Sequence, residues 1–578
     1  MNFAFDRISF ERARAMLVGS DDRMTRSRPP ILEKLARIAT DMGPNAFRES
    51  VIREMLLKLN IQDLVPAVYA DYREIVQDGF RFFLARLSMN RFLGIAADQL
   101  LLEPDASPAQ RVFRMAQSVP TLHKLGQTLA RNRNLDPILR KWLIGLENGC
   151  YGADITGVRK IILKEVRNYS VPLNIELDPD ILSEASVGAV VGFTWTAPDT
   201  GRSRRGAFKV LKPGVREKLE EEFILLDDLA RYYHRQRHRY PLRKFTFVET
   251  FEDIRSALTE EIDLSGEQAH LKRAGRFYAP GDGVSVPEVL PFSTDRLTAM
   301  TMMTGGKITA PNAEPEDRRH LARTLFRALI WKPMFSLEAQ PPFHGDPHAG
   351  NLFAAAQDGL PPKPVLLDWS LSGTLTRSHR AGLVRLMMSI LADDEDGILQ
   401  AVDSLSPEEP NDSPDSSRHR LEIIRRIRNH PDYVRSRFIE RAFFLIDRTA
   451  LEGIRFPRDL LLFRKAFFTL DGVLRELDPE FTMDGYAMPL LKALIWKELP
   501  DRWAAGVIPN IGEPEKYRSM ISNQELQAFM VDFMMGRLDR WIDARSELME
   551  KYAAWSVRQL TALYSASTLC ISRKGAPA

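Results

Sequence analysis

Near residue 170 the hydrophobic pattern of this chain changes period, and that change limits its possible folds more than any other feature. Up to about residue 120, apolar positions such as Ile52, Met55, Leu56 and Leu59 recur at helical spacing between Arg, Lys and Glu. Prolines at 29, 30, 44, 66, 104, 108 and 120 divide that run into separate helices. A further helical stretch continues to about residue 165. Short β-rich runs follow, at Val187 to Trp195, Gly206 to Leu211 and Leu297 to Met303. Between the second and third runs the spacing predicts a helix over Val215 to Arg239, with Leu219, Phe223, Leu226 and Leu229 on one face, and another from about Thr246 to Arg273. From Glu316 the pattern is helical again, interrupted by a loop and strand around His344 to Leu371. The Pro-, Asp-, Glu- and Ser-rich segment Ser404 to Ser417 reads as a solvated loop, and residues 418–578 read as amphipathic helices.

A chain of 578 residues exceeds what one hydrophobic core organises, so two or three structural units are expected. Hydrophobic residues at 44% and charged residues at 27% exclude a disordered or collagen-like chain. The formal charge of +3, from 80 basic and 77 acidic side chains, gives no strong field for nucleic acid, and no nucleic-acid partner is expected. Only Cys150 and Cys570 are present, too few for a disulfide framework or a thiolate metal site, which fits a reducing cytoplasm. Met1 to Met16 mixes Asp6, Arg7, Glu11 and Arg12 into its apolar positions, unlike a secretory signal. No run of about 18 uncharged apolar residues occurs, so the expected location is cytoplasmic, with at most peripheral contact at the inner face of a membrane. The basic stretch Arg231, Arg235, Arg237, Arg239, Arg243 and Lys244 is read first as a solvated helix end, and next as a patch for an anionic membrane surface.

The strongest chemical signal is His344-Gly345-Asp346-Pro347-His348-Ala349-Gly350-Asn351-Leu352-Phe353, followed by Val365-Leu366-Leu367-Asp368-Trp369-Ser370. An Asp, an Asn five residues later and a second Asp after an apolar strand is the spacing of a kinase catalytic loop and its metal-binding Asp. Phosphoryl groups concentrate negative charge, so Mg²⁺ must be held by hard oxygen ligands. Asn351 and Asp368 are the metal candidates, and Asp346 would orient or deprotonate the acceptor. A pair of helix caps is the simpler alternative for Asp346 and Asn351, but it does not account for Asp368 at the end of an apolar strand. Zinc at His344 and His348 is disfavoured, because Gly345 and Pro347 prevent a regular helix there.

Lys209 sits in the apolar run Ala207-Phe208-Lys209-Val210-Leu211, which ends at Pro213-Gly214. A lysine in a half-buried strand is costly unless paired. Its expected partners are ATP phosphates and the helix carboxylate Glu267, and Lys212, beside the turn, is expected to be exposed.

These motifs resemble the UbiB/AarF (ADCK) family of atypical kinases over roughly residues 115 to 400. His123-Lys124-Leu125-Gly126-Gln127 is similar to the family's Lys-x-Gly-Gln motif, and Glu261-Ile262-Asp263 with Glu267 to its Glu-x-Asp motif and helix glutamate. The resemblance implies an α+β, bilobal protein-kinase-like fold with helical N- and C-terminal extensions. The expected divisions are a helical region over 1–120, a helical extension with the Lys-x-Gly-Gln motif over 121–170, a small lobe with a helical insertion over 171–310, a large-lobe core over 311–403 and a C-terminal helical region over 404–578. It implies ATP and Mg²⁺ as cofactors, with Ala185, Ser186, Val187, Gly188, Lys209, Met300 and Met302 around the nucleotide and Asp346, Lys209 and Glu267 in catalysis. It also implies a regulatory lid in which Lys124 faces Glu261 and Asp263 and Gln127 points toward the nucleotide, with Asp263 and Glu267 on one face of one helix.

The chain departs from the family in two places. Its nucleotide loop reads Ser183-Glu184-Ala185-Ser186-Val187-Gly188-Ala189-Val190 where the family has an Ala-rich sequence, and Glu184 adds negative charge near the expected phosphates. Asp368-Trp369-Ser370 replaces the usual Asp-Phe-Gly, keeping the metal ligand and losing the glycine. The implied role is support of isoprenoid quinone (ubiquinone) biosynthesis through ATP hydrolysis or phosphotransfer, with quinone-biosynthesis proteins or lipid precursors as partners. A small-molecule phosphotransferase of the aminoglycoside or choline kinase type and an inactive kinase-fold scaffold are the competing readings.

Overall fold

The computed structural model describes residues 28–65, 67–130, 154–240, 247–310, 314–406, 414–507, 517–527 and 531. Cys150, Cys570, Arg243, Lys244 and the side chain of Gln127 lie outside the described residues. The chain divides into two compact units, one of residues 1–272, 287–303 and 368–371, the other of 273–286, 304–367 and 372–578.

The first unit opens with helices α1 (Arg28–Met42), α2 (Pro44–Leu59), α3 (Arg73–Arg86), α4 (Met89–Leu101), α5 (Pro108–Ser118) and α6 (Pro120–Ala130), of which α1, α2, α5 and α6 begin at or beside a proline. Pro44 and Pro108 stand in the first turn, where a missing N–H costs nothing. Ile52, Met55, Leu56 and Leu59 all face one core together with Phe47, Phe92 and Val112. After α7 (Ile155–Glu165) comes an antiparallel sheet in the order β1 (Glu176–Glu184), β2 (Gly188–Thr196), β3 (Ser203–Leu211) and β4 (Leu297–Thr301).

Three of these strands were expected, and β1 is an addition. Its sequence, Glu-Leu-Asp-Pro-Asp-Ile-Leu-Ser-Glu, is mostly polar and carries Pro179, both features that argue against a strand. It forms because it sits at the sheet edge, where a proline need not donate to a ladder, and its register with β2 slips on either side of Ile181. Phe193 on β2 and Phe208 on β3 stack with ring centroids 3.8 Å apart, and Phe292 packs edge-on against both. These rings join Val158 and Ile162 of α7 in a second core.

Helix α8 (Val215–Arg235) follows β3 and ends in a 3-10 turn at Arg237–Arg239, so the predicted helix is shorter than the pattern suggested. The single helix expected from Thr246 to Arg273 is two, α9 (Phe247–Glu261) and α10 (Leu264–Phe277). Asp263 is the reason for the break, because its Oδ1 accepts the Gly266 N–H at 2.9 Å and so starts a new helix. Asp263 and Glu267 are therefore not on one continuous helix face, as had been expected.

The second unit carries β5 (Gly306–Lys307), β7 (Leu352–Gln357) and β8 (Leu360–Leu366) in one small sheet, in the order β5-β7-β8, and β6 (Pro342–His344) with β9 (Ser372–Thr374) in another. Its helices are α11 (Pro315–Phe326), α12 (Arg377–Ala392), α13 (Glu395–Leu405), α14 (Pro414–Arg428), α15 (Phe438–Leu451), α16 (Arg458–Leu477) and α17 (Met483–Val507). Both described ends of the segment Ser404 to Ser417 are helical, because Leu405 is buried as the last residue of α13 and α14 begins at Pro414. Polar composition alone had suggested a loop there. No helix among the described residues is long and apolar enough to cross a membrane.

The stacked Phe208 is fully buried, whereas Leu182 on the edge strand is 50% exposed. Phe208→Ala is expected to destabilise the first unit by about 3–5 kcal/mol and Leu182→Ala by no more than about 0.5 kcal/mol. Thermal unfolding of the two variants side by side checks the contrast.

Candidate active site

In the middle of the sheet, Lys209 on β3 lies opposite Val190 of β2 and Thr298 of β4. Neighbouring strands fill both sides, so its ammonium must find its counter-charge on the face of the sheet. It does so twice within the first unit: Nζ donates to Glu267 Oε1 at 2.6 Å and to Asp368 Oδ1 at 3.1 Å. Glu267 stands in the first turn of α10 and is 2% exposed, while Asp368 is 37% exposed. Burial by itself would lower the Lys209 pKa, but the two carboxylates reverse this and hold it above its usual range. Asp368 is held well below the usual carboxylate range by Lys209, with help from Ser370, against the effect of burial. Glu267 is pushed up to about 7, by burial first, with Asp368 adding to the shift and Lys209 opposing it.

The turn carrying Asp368 has its own supports. Asp368 adopts a left-handed φ of +50°, a conformation that Asp tolerates better than most residues, and its Oδ1 accepts the Ser370 N–H at 3.2 Å. Trp369 is fully buried, and its carbonyl lies 3.0 Å from His270 Nδ1. Glu267 and His270, three residues apart on α10, thus reach the two ends of one turn. His270 was not among the sequence candidates. Its helical spacing from Glu267 was the available signal, but nothing in the sequence says what it would meet.

The loop between β1 and β2 closes through the Ala185 N–H, which donates to Gly188 O at 2.9 Å. Val187 turns into a core with Leu211 and Val215, so of the expected nucleotide-loop residues it is a packing residue. Ser186 Oγ donates to Glu261 Oε2 at 2.8 Å, and the other oxygen of Glu261 is paired with Lys124 of α6. Asp263 takes the capping position described above. Lys212 differs from expectation: it is only 18% exposed and pairs with Glu184 at 2.6 Å. The extra acidic charge of this loop therefore arrives with its own cation. Met300 pairs with Ala207 across the ladder, and Met302 lies just past the end of β4, donating its N–H to Arg205 O at 3.2 Å. Of the basic stretch, Arg231 pairs with Asp228 and Arg239 with Glu74 and Asp78, leaving Arg235 and Arg237 exposed.

The helix bearing Lys124 is held by a residue the sequence did not flag. Glu222 of α8 is fully buried, and its Oε2 accepts both the Thr121 N–H at 2.9 Å and the Thr121 hydroxyl at 2.7 Å. Its other oxygen pairs with Arg91 of α4. The carboxylate thus meets the first turn of α6, where N–H groups lack helical partners and negative charge is favoured. Burial raises its pKa while Arg91 and Thr121 oppose that shift. In sequence it is one of three consecutive glutamates, Glu220 to Glu222, which look alike until the helix is packed.

In the second unit, Asp346 and Asn351 belong to a loop closed on itself. Asn351 Nδ2 donates to Asp346 O at 3.1 Å, the His348 N–H donates to Asp346 O at 2.9 Å, and the Leu367 N–H donates to Asn351 O at 2.9 Å. His344 is buried, its Nδ1 accepting the Asp346 N–H at 3.2 Å and its Nε2 lying 2.8 Å from Leu367 O. An acceptor at Nδ1 assigns the proton to Nε2, which then donates to that carbonyl. His348 Nδ1 accepts the Gly350 N–H at 3.0 Å. Both histidines therefore serve the loop backbone. Among the described residues no group of three or more His, Cys, Asp or Glu gathers as a metal cage.

Two predictions come from these contacts. Glu222→Ala leaves Arg91 without its buried partner and is expected to cost about 3–5 kcal/mol, seen as earlier thermal unfolding, with Glu222→Gln costing less. The second concerns pH. Glu267 has a higher pKa folded than its ordinary 4.5, so the folded state binds its proton more tightly and loses relative stability as pH rises from 4.5 to about 7. The contribution of Asp368 is lost only as pH falls below its ordinary 3.8, and that of Lys209 only as pH rises above 10.5. Melting temperatures of the unmodified chain should therefore fall relative to those of Glu267→Gln across pH 4.5 to 7, and parallel curves would refute the assignment.

Residues 148–402 match the family model described as the ABC1 atypical kinase-like domain. The Probable protein kinase UbiB of Xanthomonas campestris pv. campestris (strain 8004) is 24% identical over 408 residues, covering 67% of this chain and 70% of that relative. The Probable protein kinase UbiB of Cellvibrio japonicus (strain Ueda107) is 26% identical over 321 residues, covering 52% and 55%. The solved Rv3197–erythromycin complex from Mycobacterium tuberculosis aligns with a TM-score of 0.35 and 15% identity, covering 64% of this chain and 87% of that one. Residues 148–402 thus carry an ABC1 atypical kinase-like domain, and the chain is similar to relatives named Probable protein kinase UbiB.

Proposed function

We propose that this protein binds Mg-ATP and acts as an atypical kinase-like ATPase or phosphotransferase in support of isoprenoid quinone biosynthesis. The observation that carries the reading is the placement of Lys209 Nζ between Glu267 and Asp368. One cation between two carboxylates gives a site that becomes net negative as Glu267 ionises, which suits a divalent cation arriving with phosphates. Mg²⁺ commonly takes one or two protein carboxylates and completes its shell with phosphate oxygens and water, so Asp368 with Asn351 would be a sufficient protein share for a metal that enters with its nucleotide. Bound Mg-ATP would supply the transferable phosphoryl group. Lys209 would hold phosphate oxygens, and Glu267 would keep the ammonium aimed. Asp368, more than a third exposed already, would turn to the metal. Asn351 has its amide nitrogen engaged with Asp346 O, which makes its Oδ1 the ligand atom. Asp346 would orient or deprotonate the acceptor.

The quinone context rests on the match to the ABC1 atypical kinase-like domain and on the UbiB name of the relatives. The lid role of α6 rests on Lys124, which meets Glu261 while Glu261 also accepts from Ser186 of the nucleotide loop. A helix tied to that loop would exclude bulky acceptors, so generic peptides should be phosphorylated weakly or not at all.

Thermal stabilisation by Mg-ATP tests the core of the proposal. Asp368→Asn should abolish the metal-dependent part. Lys209→Met should weaken affinity about tenfold, roughly 1.4 kcal/mol, while Lys212→Met, which breaks only the pair with Glu184, should change it far less. Unchanged stabilisation in Asp368→Asn would remove that residue from the metal site. Efficient phosphorylation of a generic peptide by the unmodified protein would remove the lid argument.

A further inference from the structure

The helices of the first unit form a half-open apolar pocket of about 250 Å³ that the chemistry of Lys209 and Asp368 does not use. Its walls come from four helices: Val76 and Phe80 of α3, Leu122 and Leu125 of α6, Leu229 of α8 and Ile254 of α9. Well-packed interiors rarely leave gaps larger than a water molecule, and apolar walls left uncovered in a pocket of this size forfeit dispersion contacts. Gly79 helps to shape it. A Cβ there would lie 2.4 Å from the Tyr233 hydroxyl oxygen, so the glycine allows that ring against α3.

Three hydroxyl-bearing side chains line the pocket, Tyr72, Thr121 and Tyr233, and the last two direct their hydroxyls to protein partners. The Tyr233 hydroxyl donates to Ile75 O at 2.7 Å, and the Thr121 hydroxyl donates to Glu222 at 2.7 Å. A polar or charged guest would lose its hydration for nothing in return. An apolar guest would recover the missing contacts. Since an apolar cavity of about 150 Å³ stays dry and takes up benzene, this one has room for roughly ten carbon atoms.

We propose that this cavity, between α3, α6, α8 and α9, is a binding site for an uncharged hydrocarbon or fused-ring ligand of about ten carbons, whose occupancy braces α6 against α9. The link to the lid is covalent at both walls. Leu122 and Leu125 flank Lys124 on α6, and α9 carries Ile254 two turns before Glu261, the partner of Lys124. Filling the space between these helices holds the two ends of that ion pair in place. Binding itself does not depend on the Mg-ATP reading, which is tested separately above.

Naphthalene, with ten carbons and an environment-sensitive fluorescence, is the probe, used with the full-length unmodified protein. It should bind saturably and raise the melting temperature, while 2-naphthalenesulfonate, the same ring with a fixed charge, should do neither. Hydrogen exchange should slow on naphthalene binding in Pro120–Ala130 and Phe247–Glu261. Val76→Phe and Leu122→Phe fill the cavity from opposite walls, and each should weaken naphthalene binding at least tenfold in a variant whose circular dichroism matches the unmodified chain. No saturable binding, or equal binding of the sulfonate, overturns the site even if neither variant folds. Full-strength binding by a folded, filled variant overturns its location. Binding with unchanged exchange in both helices overturns the brace.

Discussion

A positive charge placed on an inner strand of a sheet has to be neutralised within a few ångströms, and much of the first unit is arranged to do this for Lys209. The strand neighbours Val190 and Thr298 offer no counter-charge, so the sheet alone cannot satisfy its own central lysine. A helix must bring Glu267 to it, and the turn at Asp368 to Ser370 must bring a second carboxylate. Removing Lys209 leaves the two acids facing each other without a cation, which is why the lysine is the least replaceable member of the cluster. The arrangement also divides the two acids. Glu267, almost fully buried, is pushed up to about 7, whereas Asp368, held by Lys209 and Ser370 against the effect of burial, stays ionised.

A chain of contacts extends from this cluster into the helical region. Ser186 in the β1 to β2 turn reaches Glu261, Glu261 reaches Lys124, and the helix carrying Lys124 begins on Glu222. Each contact joins segments about 75 to 140 residues apart in sequence and is at least partly buried. The N-terminal helices are thereby bound into the same unit as the sheet. Glu222 is the least conspicuous member and the most buried, and it fixes where α6 starts. In the second unit His344 has a comparable role, bridging the Asp346 N–H and Leu367 O and so tying the loop to the end of the apolar strand.

Much was legible in the sequence because it depends on local pattern. Ile52, Met55, Leu56 and Leu59 announce a helix face wherever they are packed, prolines mark the helix starts, and the apolar run around Lys209 announces a strand. The spacing of Asp346, Asn351 and Asp368 identifies a chemistry because that chemistry needs hard oxygen ligands in that order. The misses have one cause in common. Strand β1 exists only because an edge position tolerates Pro179 and its acidic neighbours. The break at Asp263 depends on a single cap that competes with a continuous helical pattern. Lys212 looked exposed until Glu184 was brought beside it.

By itself, then, the sequence determined the order of helices and strands, the presence of a lysine that had to be paired, and the acids able to pair with it. Periodicity and charge act over a few residues and are written directly in the chain. Only the tertiary structure decided which of three adjacent glutamates is buried against Arg91 and Thr121, which face of α10 brings His270 to Trp369, and that four helices leave an apolar cavity beside Lys124. Those outcomes depend on the relative placement of segments that are distant in sequence. Long-range packing sets that placement, and no local pattern encodes it.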